Sequence, residues 1–166
     1  TSYTVFRAEA GLFREYRRRS SIFLFGWTEA FRYRLLHPLQ RVYYLGMLVH
    51  PSMYRLMRNY FPEIYPSYKH ETPEAIRHFM SDLADCFKVK AVNDNNRLIR
   101  QVGWVTLDSK EEVEYWQRSN QPDVQLFLRQ NPGYRDGHGL VMLVPLTLAN
   151  MLSALWLYGK VKISRR

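Results

Sequence analysis

Gly139 to Gly159 reads GLVMLVPLTLANMLSALWLYG, twenty-one residues without a charge, and Lys160, Val161, Lys162, Ile163, Ser164, Arg165 and Arg166 follow at once. A helix rises about 1.5 Å per residue, so this run would cover roughly 31 Å, matching a hydrocarbon core of about 30 Å. Trp156 and Tyr158 lie at one end, where amphipathic rings favour the headgroup level, and four cations sit just outside. The run predicts one C-terminal transmembrane helix. Pro145 marks the competing reading, because proline favours the first helical turn. A helix from Pro145 to Tyr158 would be too short to span and would suit a buried core.

Within a span the polar residues define a face. At about 100° per residue, Gly139, Thr147, Asn150, Ala154 and Tyr158 share a sector, while Leu148, Leu152 and Leu155 point elsewhere. Small and hydrogen-bonding residues let helices approach closely in lipid, and a mid-membrane Asn needs a neighbour to satisfy it. This stripe is the expected packing face toward other membrane subunits.

Charge divides the 166 residues unevenly. Residues 1–60 hold ten Arg against three Glu and no Lys, residues 61–138 hold ten cations against twelve anions, and residues 139–166 add four cations. The expected organisation follows these breaks: a basic aromatic helical region over 1–60, an α-rich module over 61–138, the span over 139–159, and a basic tail over 160–166. Thirteen of the twenty-five aromatic residues fall in the first part. Guanidinium groups bind phosphate and carboxylate in a forked geometry and stack on rings, although an Arg-favouring genome would also give eighteen Arg to six Lys. Such a positive region must meet lipid headgroups, acidic subunits or nucleic acid.

Val5, Phe6, Glu9, Leu12, Phe13 and Tyr16 carry helical spacing, and Arg14, Arg17, Arg18 and Arg19 close the segment, which predicts an amphipathic N-terminal helix. Ser21 to Trp27 and Val42 to Val49 are apolar but too short to cross a bilayer, and their Arg and aromatic borders suit interfacial or partner-packed segments. His37-Pro38 and His50-Pro51 break this region into short helices. Pro62 and Pro66 mark an extended linker. Thr72-Pro73-Glu74 predicts a helix start, with Ile76, Phe79, Met80, Leu83 and Phe87 on one face. Asn93 to Asn96 form a turn, and Arg97 to Leu107 tilts toward strand through Val102, Val105 and Thr106. Ser109 with Glu112 is a capping box, Pro122-Asp123 opens another helix, and Asn131 to His138 is a turn-rich loop.

Chemistry is harder to find. His70-Glu71 lacks the second His of a zinc-protease motif. His78 and Asp82 share a helix face, with Cys86 further along, but an ion pair or solvated face is the commoner meaning of that spacing. The single Cys86 excludes an internal disulfide and is expected as a small buried hydrophobe. With no second Cys and no His pair, no metal or other cofactor site is expected, and no catalytic residue is assigned. His138, between two glycines, is a polar end to the span before it is a ligand.

These readings converge on a mainly α protein with basic amphipathic N-terminal helices, a small α-rich middle module and one transmembrane helix. The expected function is that of a non-catalytic accessory subunit of a membrane complex. In type it is similar to the small, basic, single-span subunits of mitochondrial inner-membrane respiratory complexes and ATP synthase; no residue motif carries the likeness. A start at Thr1 is what removal of an import presequence leaves, and the inner mitochondrial membrane is the expected location. Expected partners are other subunits and an anionic lipid such as cardiolipin, held by Arg17, Arg18, Arg19, Lys160, Lys162, Arg165 and Arg166 at about 1 kcal/mol per cation. Nucleic acid is a weaker expectation. An RNA-associated, mitoribosomal-type protein and a membrane-bound enzyme are the alternatives.

Overall fold

Pro145 cuts the uncharged run in two. The computed structural model describes residues 2–8 and 22–163. The first part of the run is strand β4, His138–Pro145, and the second is helix α6, Leu148–Ile163. Val141 and Val144 are stiff at χ1 and fit a pleated strand, and Pro145 lacks the N–H that a continuing helix would need. Thr147 then caps the new helix, its Oγ1 accepting from the Asn150 N–H at 3.2 Å. Sixteen residues cover about 24 Å, short of a hydrocarbon core of about 30 Å. Among the described residues no helix is long and apolar enough to cross a membrane. The transmembrane helix expected over 139–159 is therefore corrected to a buried strand and a shorter helix.

The mainly α expectation falls with it, because the fold is α/β. Strands β1 (Tyr3–Arg7), β2 (Arg41–Leu48), β3 (Ile99–Gln101) and β4 form one mixed sheet in the order β1-β2-β4-β3. The helices are α1 (Ile22–Leu36), α2 (Pro51–Tyr60), α3 (Glu74–Cys86), α4 (Lys110–Gln117), α5 (Pro122–Gln130) and α6. An uninterrupted apolar run is what an inner strand needs when both its faces are covered, and Gly139 to Pro145 are all buried. That pattern cannot be told from a buried helix by hydropathy alone.

β1 replaces the start of the expected N-terminal helix. Tyr3, Thr4, Val5 and Phe6 are aromatic or β-branched, and they pair in parallel with Arg41 to Tyr44 of β2. Residues 9–21, with Arg14, Arg17, Arg18 and Arg19, lie outside the described residues. The Val42–Val49 segment is likewise a strand rather than an interfacial helix, with Val42, Leu45 and Leu48 buried.

Two compact units form. Unit 1 comprises Thr1–Gly46, Tyr60–Glu63 and Val144–Arg166; unit 2 comprises Met47–Asn59 and Ile64–Leu143. In unit 1, α1 packs on α6, and the Trp27 indole N–H donates to the Met151 carbonyl at 3.1 Å. Phe6 meets Tyr33 edge-on, and the Tyr33 hydroxyl bridges Thr4 and Gln40 at 2.9 and 2.8 Å.

Unit 2 follows the sequence more closely. Ser109 caps α4 with Glu112 in a reciprocal capping box, and Pro122 takes the first turn of α5. α3 starts at Glu74 without a side-chain cap and turns Met80, Ser81, Leu83 and Ala84 inward. β3 pairs antiparallel with β4, and Tyr65 adds a bridge to Leu143 through two 2.8 Å backbone hydrogen bonds. The Tyr54 hydroxyl donates to the Pro66 carbonyl at 2.8 Å. Arg100 is fully buried between α3 and β3, where it reaches Asp85, the Val89 carbonyl and both oxygens of Ser81.

Candidate functional site

α6 is apolar on nearly all sides, and only one side is used by its own unit. Asn150, Met151 and Ala154 are buried, whereas Leu148, Leu152, Leu155 and Trp156 are exposed, Trp156 by 60%. On a helical wheel the four exposed residues fall within a sector of about 100°. The Lys160 ammonium lies 3.7 Å above the Trp156 ring, so a cation is held against the end of the apolar stripe. Phe25, Leu35 and Leu36 on α1 and Leu39 just beyond it are further exposed apolar residues of unit 1.

Charge is concentrated in the same unit. Unit 1 holds twelve Lys and Arg against four Glu, and unit 2 holds twelve against eleven carboxylates. Nearly all of the net +9 therefore belongs to the unit that carries the exposed leucines. An apolar stripe bordered by cations suits a surface with a greasy interior and an anionic rim.

The residues singled out in the sequence are distributed as follows. Lys160 is exposed at the end of α6. The Lys162 side chain lies outside the described residues, as do Arg165, Arg166, Arg17, Arg18 and Arg19. Of the expected packing face, Gly139 sits in β4 opposite Arg100, and Thr147 is the cap of α6. Asn150, Ala154 and Tyr158 do share one side of α6, but Asn150 and Ala154 are buried in unit 1, and Tyr158 meets Tyr60 with ring centroids 5.8 Å apart. Asn150 is satisfied by neighbouring backbone: its amide bonds the N–H and C=O of Glu63 at 3.1 and 2.8 Å and the Pro145 carbonyl at 2.8 Å.

Unit 2 contains a constellation that sequence reasoning missed. His50 Nε2 faces Asp108 Oδ2 at 3.0 Å, and His50 Nδ1 lies 2.6 Å from Ser52 Oγ. Ser, His and Asp in contact raise the question of nucleophilic catalysis. The Ser52 backbone N–H also donates to Nδ1, at 3.2 Å, so Nδ1 is the acceptor nitrogen and the ring proton sits on Nε2 toward Asp108. This is a histidine N-cap for α2. The next two amides, Met53 and Tyr54, donate to the His50 carbonyl, so the helix start offers no N–H for an oxyanion. The His50 and Asp108 side chains are about nine-tenths buried, under the edge-on rings of Trp116 and Tyr134. The cluster fastens α2 to the start of α4. Its residues are 58 positions apart, and no local spacing signals it.

Other expectations about chemistry also meet the structure here. His78 approaches Glu74, not Asp82, at 3.5 Å on an exposed face. Cys86 is exposed, which corrects the expectation of a buried thiol, because the last turn of α3 presents positions 85–88 to solvent. Among the described residues no group of three His, Cys, Asp or Glu could hold a metal ion. Comparison with known proteins returns no matching family model, no matching curated protein and no matching solved structure.

Proposed function

We propose that this protein is a non-spanning accessory component that attaches to an anionic lipid surface through unit 1. The observation that carries the reading is the exposed stripe Leu148, Leu152, Leu155 and Trp156, with Lys160 seated on Trp156, in the unit that holds the charge excess. A helix that is apolar all round has two apolar sides to cover, and α1 with its neighbours covers one. Lying in the interface, the other side enters the boundary between headgroups and acyl chains, and Lys160 stays at the phosphates. Arg and Lys elsewhere in unit 1 add a long-range attraction that salt weakens. Nucleic acid would satisfy the charge but leave the leucines in water.

Flotation of the full chain with vesicles tests this. Vesicles of phosphatidylcholine containing cardiolipin should carry the protein, neutral phosphatidylcholine vesicles should carry little, and high salt should release it. Absence of binding to both, or equal binding after Leu152→Glu, refutes the reading. Retention on single-stranded RNA that Leu152→Glu leaves unchanged would replace it with a nucleic-acid function.

A further inference from the structure

Residues 35–41 read LLHPLQR and join α1 to β2 in unit 1. Pro38 presets the second position of a β-turn, and the Gln40 N–H closes that turn on the His37 carbonyl at 3.2 Å. Arg34 braces it, its Nη1 donating to the His37 and Pro38 carbonyls at 2.9 and 2.6 Å. The Gln40 amide anchors it as well, accepting from the Tyr33 hydroxyl at 2.8 Å and donating to Ser2 Oγ at 3.2 Å. The third turn position ordinarily takes glycine or a small polar residue, yet here it holds Leu39, which is 99% exposed. Leu35 and Leu36, in the last turn of α1, are exposed too, so three leucines within five residues face solvent around a turn that is already ordered.

We infer, resting on the lipid reading of unit 1, that this turn is a second membrane contact, a preformed wedge whose Leu39 enters the acyl boundary of an anionic bilayer together with the α6 stripe. The Leu146 N–H donates to the Val42 carbonyl at 2.8 Å, so the start of β2 and the end of β4 lie side by side. Leu39 is three residues from Val42 and Leu148 is two from Leu146, which puts the turn and the first residue of the stripe at one end of the sheet. Arg32 and Arg41 are exposed on the two sequence flanks of the leucines, and no carboxylate occurs between Glu29 and Glu63. Apolar side chains bordered by cations suit acyl chains beneath anionic headgroups. A second copy of this chain would instead set the same cations against one another. Because hydrogen bonds already hold the turn, insertion orders little further chain, and the gain from burying Leu39 goes to affinity.

The full chain with Cys86→Ser and Leu39→Cys, labelled at residue 39 with nitrobenzoxadiazole, tests the wedge on phosphatidylcholine vesicles containing cardiolipin. Emission should shift to the blue on binding and be quenched by doxyl groups on the upper acyl chain. Leu39→Asn keeps a good turn residue and the net charge; it should weaken flotation about tenfold, with thermal unfolding and release by salt as in the parent. If the parent floats and Leu152→Glu abolishes flotation, but the label stays in water and Leu39→Asn binds like the parent, the wedge is overturned and the α6 reading stands. A parent that does not float refutes both. A blue shift without vesicles, accompanied by dimerisation, assigns the turn to a second copy and also overturns the wedge.

Discussion

The side-chain amide of Asn150 holds both backbone polar groups of Glu63, accepting from its N–H at 3.1 Å and donating to its carbonyl at 2.8 Å. The pair reproduces one rung of a β-ladder between a helix and a loop, and the second Nδ2 hydrogen ties the Pro145 carbonyl at 2.8 Å. Asn150→Leu keeps the volume but leaves these backbone groups without that partner, at about 1–3 kcal/mol each, so a loss of roughly 3 kcal/mol is expected. Asn150→Asp should also destabilise, because it places a carboxylate oxygen against two carbonyls. Urea unfolding measures both, and an Asp variant as stable as the parent would rule out this arrangement.

Tyr134 should be better as phenylalanine. Its ring packs between His50 and Phe127, each at a centroid distance of 5.9 Å, but its hydroxyl is buried with no hydrogen bond to any described residue. Removing an unsatisfied buried hydroxyl while keeping the ring should raise stability by about 1 kcal/mol. A lower unfolding midpoint for Tyr134→Phe would mean that the hydroxyl has a partner.

His50→Ala should cost about 3 kcal/mol, since it removes the cap on the Ser52 N–H and leaves the buried Asp108 without its imidazole. His50→Asn should recover the cap part of that loss, about 1 kcal/mol. A nucleophilic role for Ser52 predicts a different result. A serine-directed fluorophosphonate probe would then label the parent at Ser52 and fail on Ser52→Ala, whereas the capping role predicts no labelling of either.

Alkaline pH should unfold the protein through its tyrosines. Burial pushes the Tyr54 and Tyr44 phenols above their ordinary value of 10.0, and burial together with the Asp108 charge does the same for Tyr134. A group whose pKa is raised by folding contributes stability that is fully present below the unfolded value and lost as pH rises through the folded value. Stability should therefore hold up to about pH 10 and fall above it. Ultraviolet phenolate absorbance should show part of the twelve tyrosines ionising only as far-ultraviolet circular dichroism is lost. Smooth ionisation of all twelve with the circular dichroism intact would contradict it.

On the lipid surface, Trp156→Ser and Leu152→Glu should each weaken vesicle binding about tenfold or more, since a half-exposed large apolar side chain has roughly 1–2 kcal/mol still to gain from burial. Neither should change the unfolding free energy by more than about 0.5 kcal/mol, because both side chains are exposed. A large stability loss in either variant would show that the stripe is part of the core.

Local chemistry was the most legible layer of this sequence. The Ser109–Glu112 capping box and the Pro122 helix start are determined by residues within one turn of each other, and both appear as read. The 139–159 run misled because a fully buried strand followed by an all-apolar helix has the hydropathy of one membrane helix, and only Pro145 carried the contrary signal. β1 and β2 were missed for a related reason, since their parallel pairing depends on partners some 38 positions away and not on a clear alternation. The His50–Asp108 and Arg55–Asp123 contacts join residues distant in sequence, so neither had a local signature.

The placement of β4 also governs how this chain comes to be folded. Between His138 and Lys160 there is no charged residue to act as a gatekeeper, and the segment from Leu140 to Val144 combines strong strand preference with complete burial. Until β3 and Tyr65 engage it, that segment is open to pairing with other chains. Its concealment is therefore a race between pairing and self-association, and dependence on chaperones should rise sharply in any variant that delays closure of unit 2.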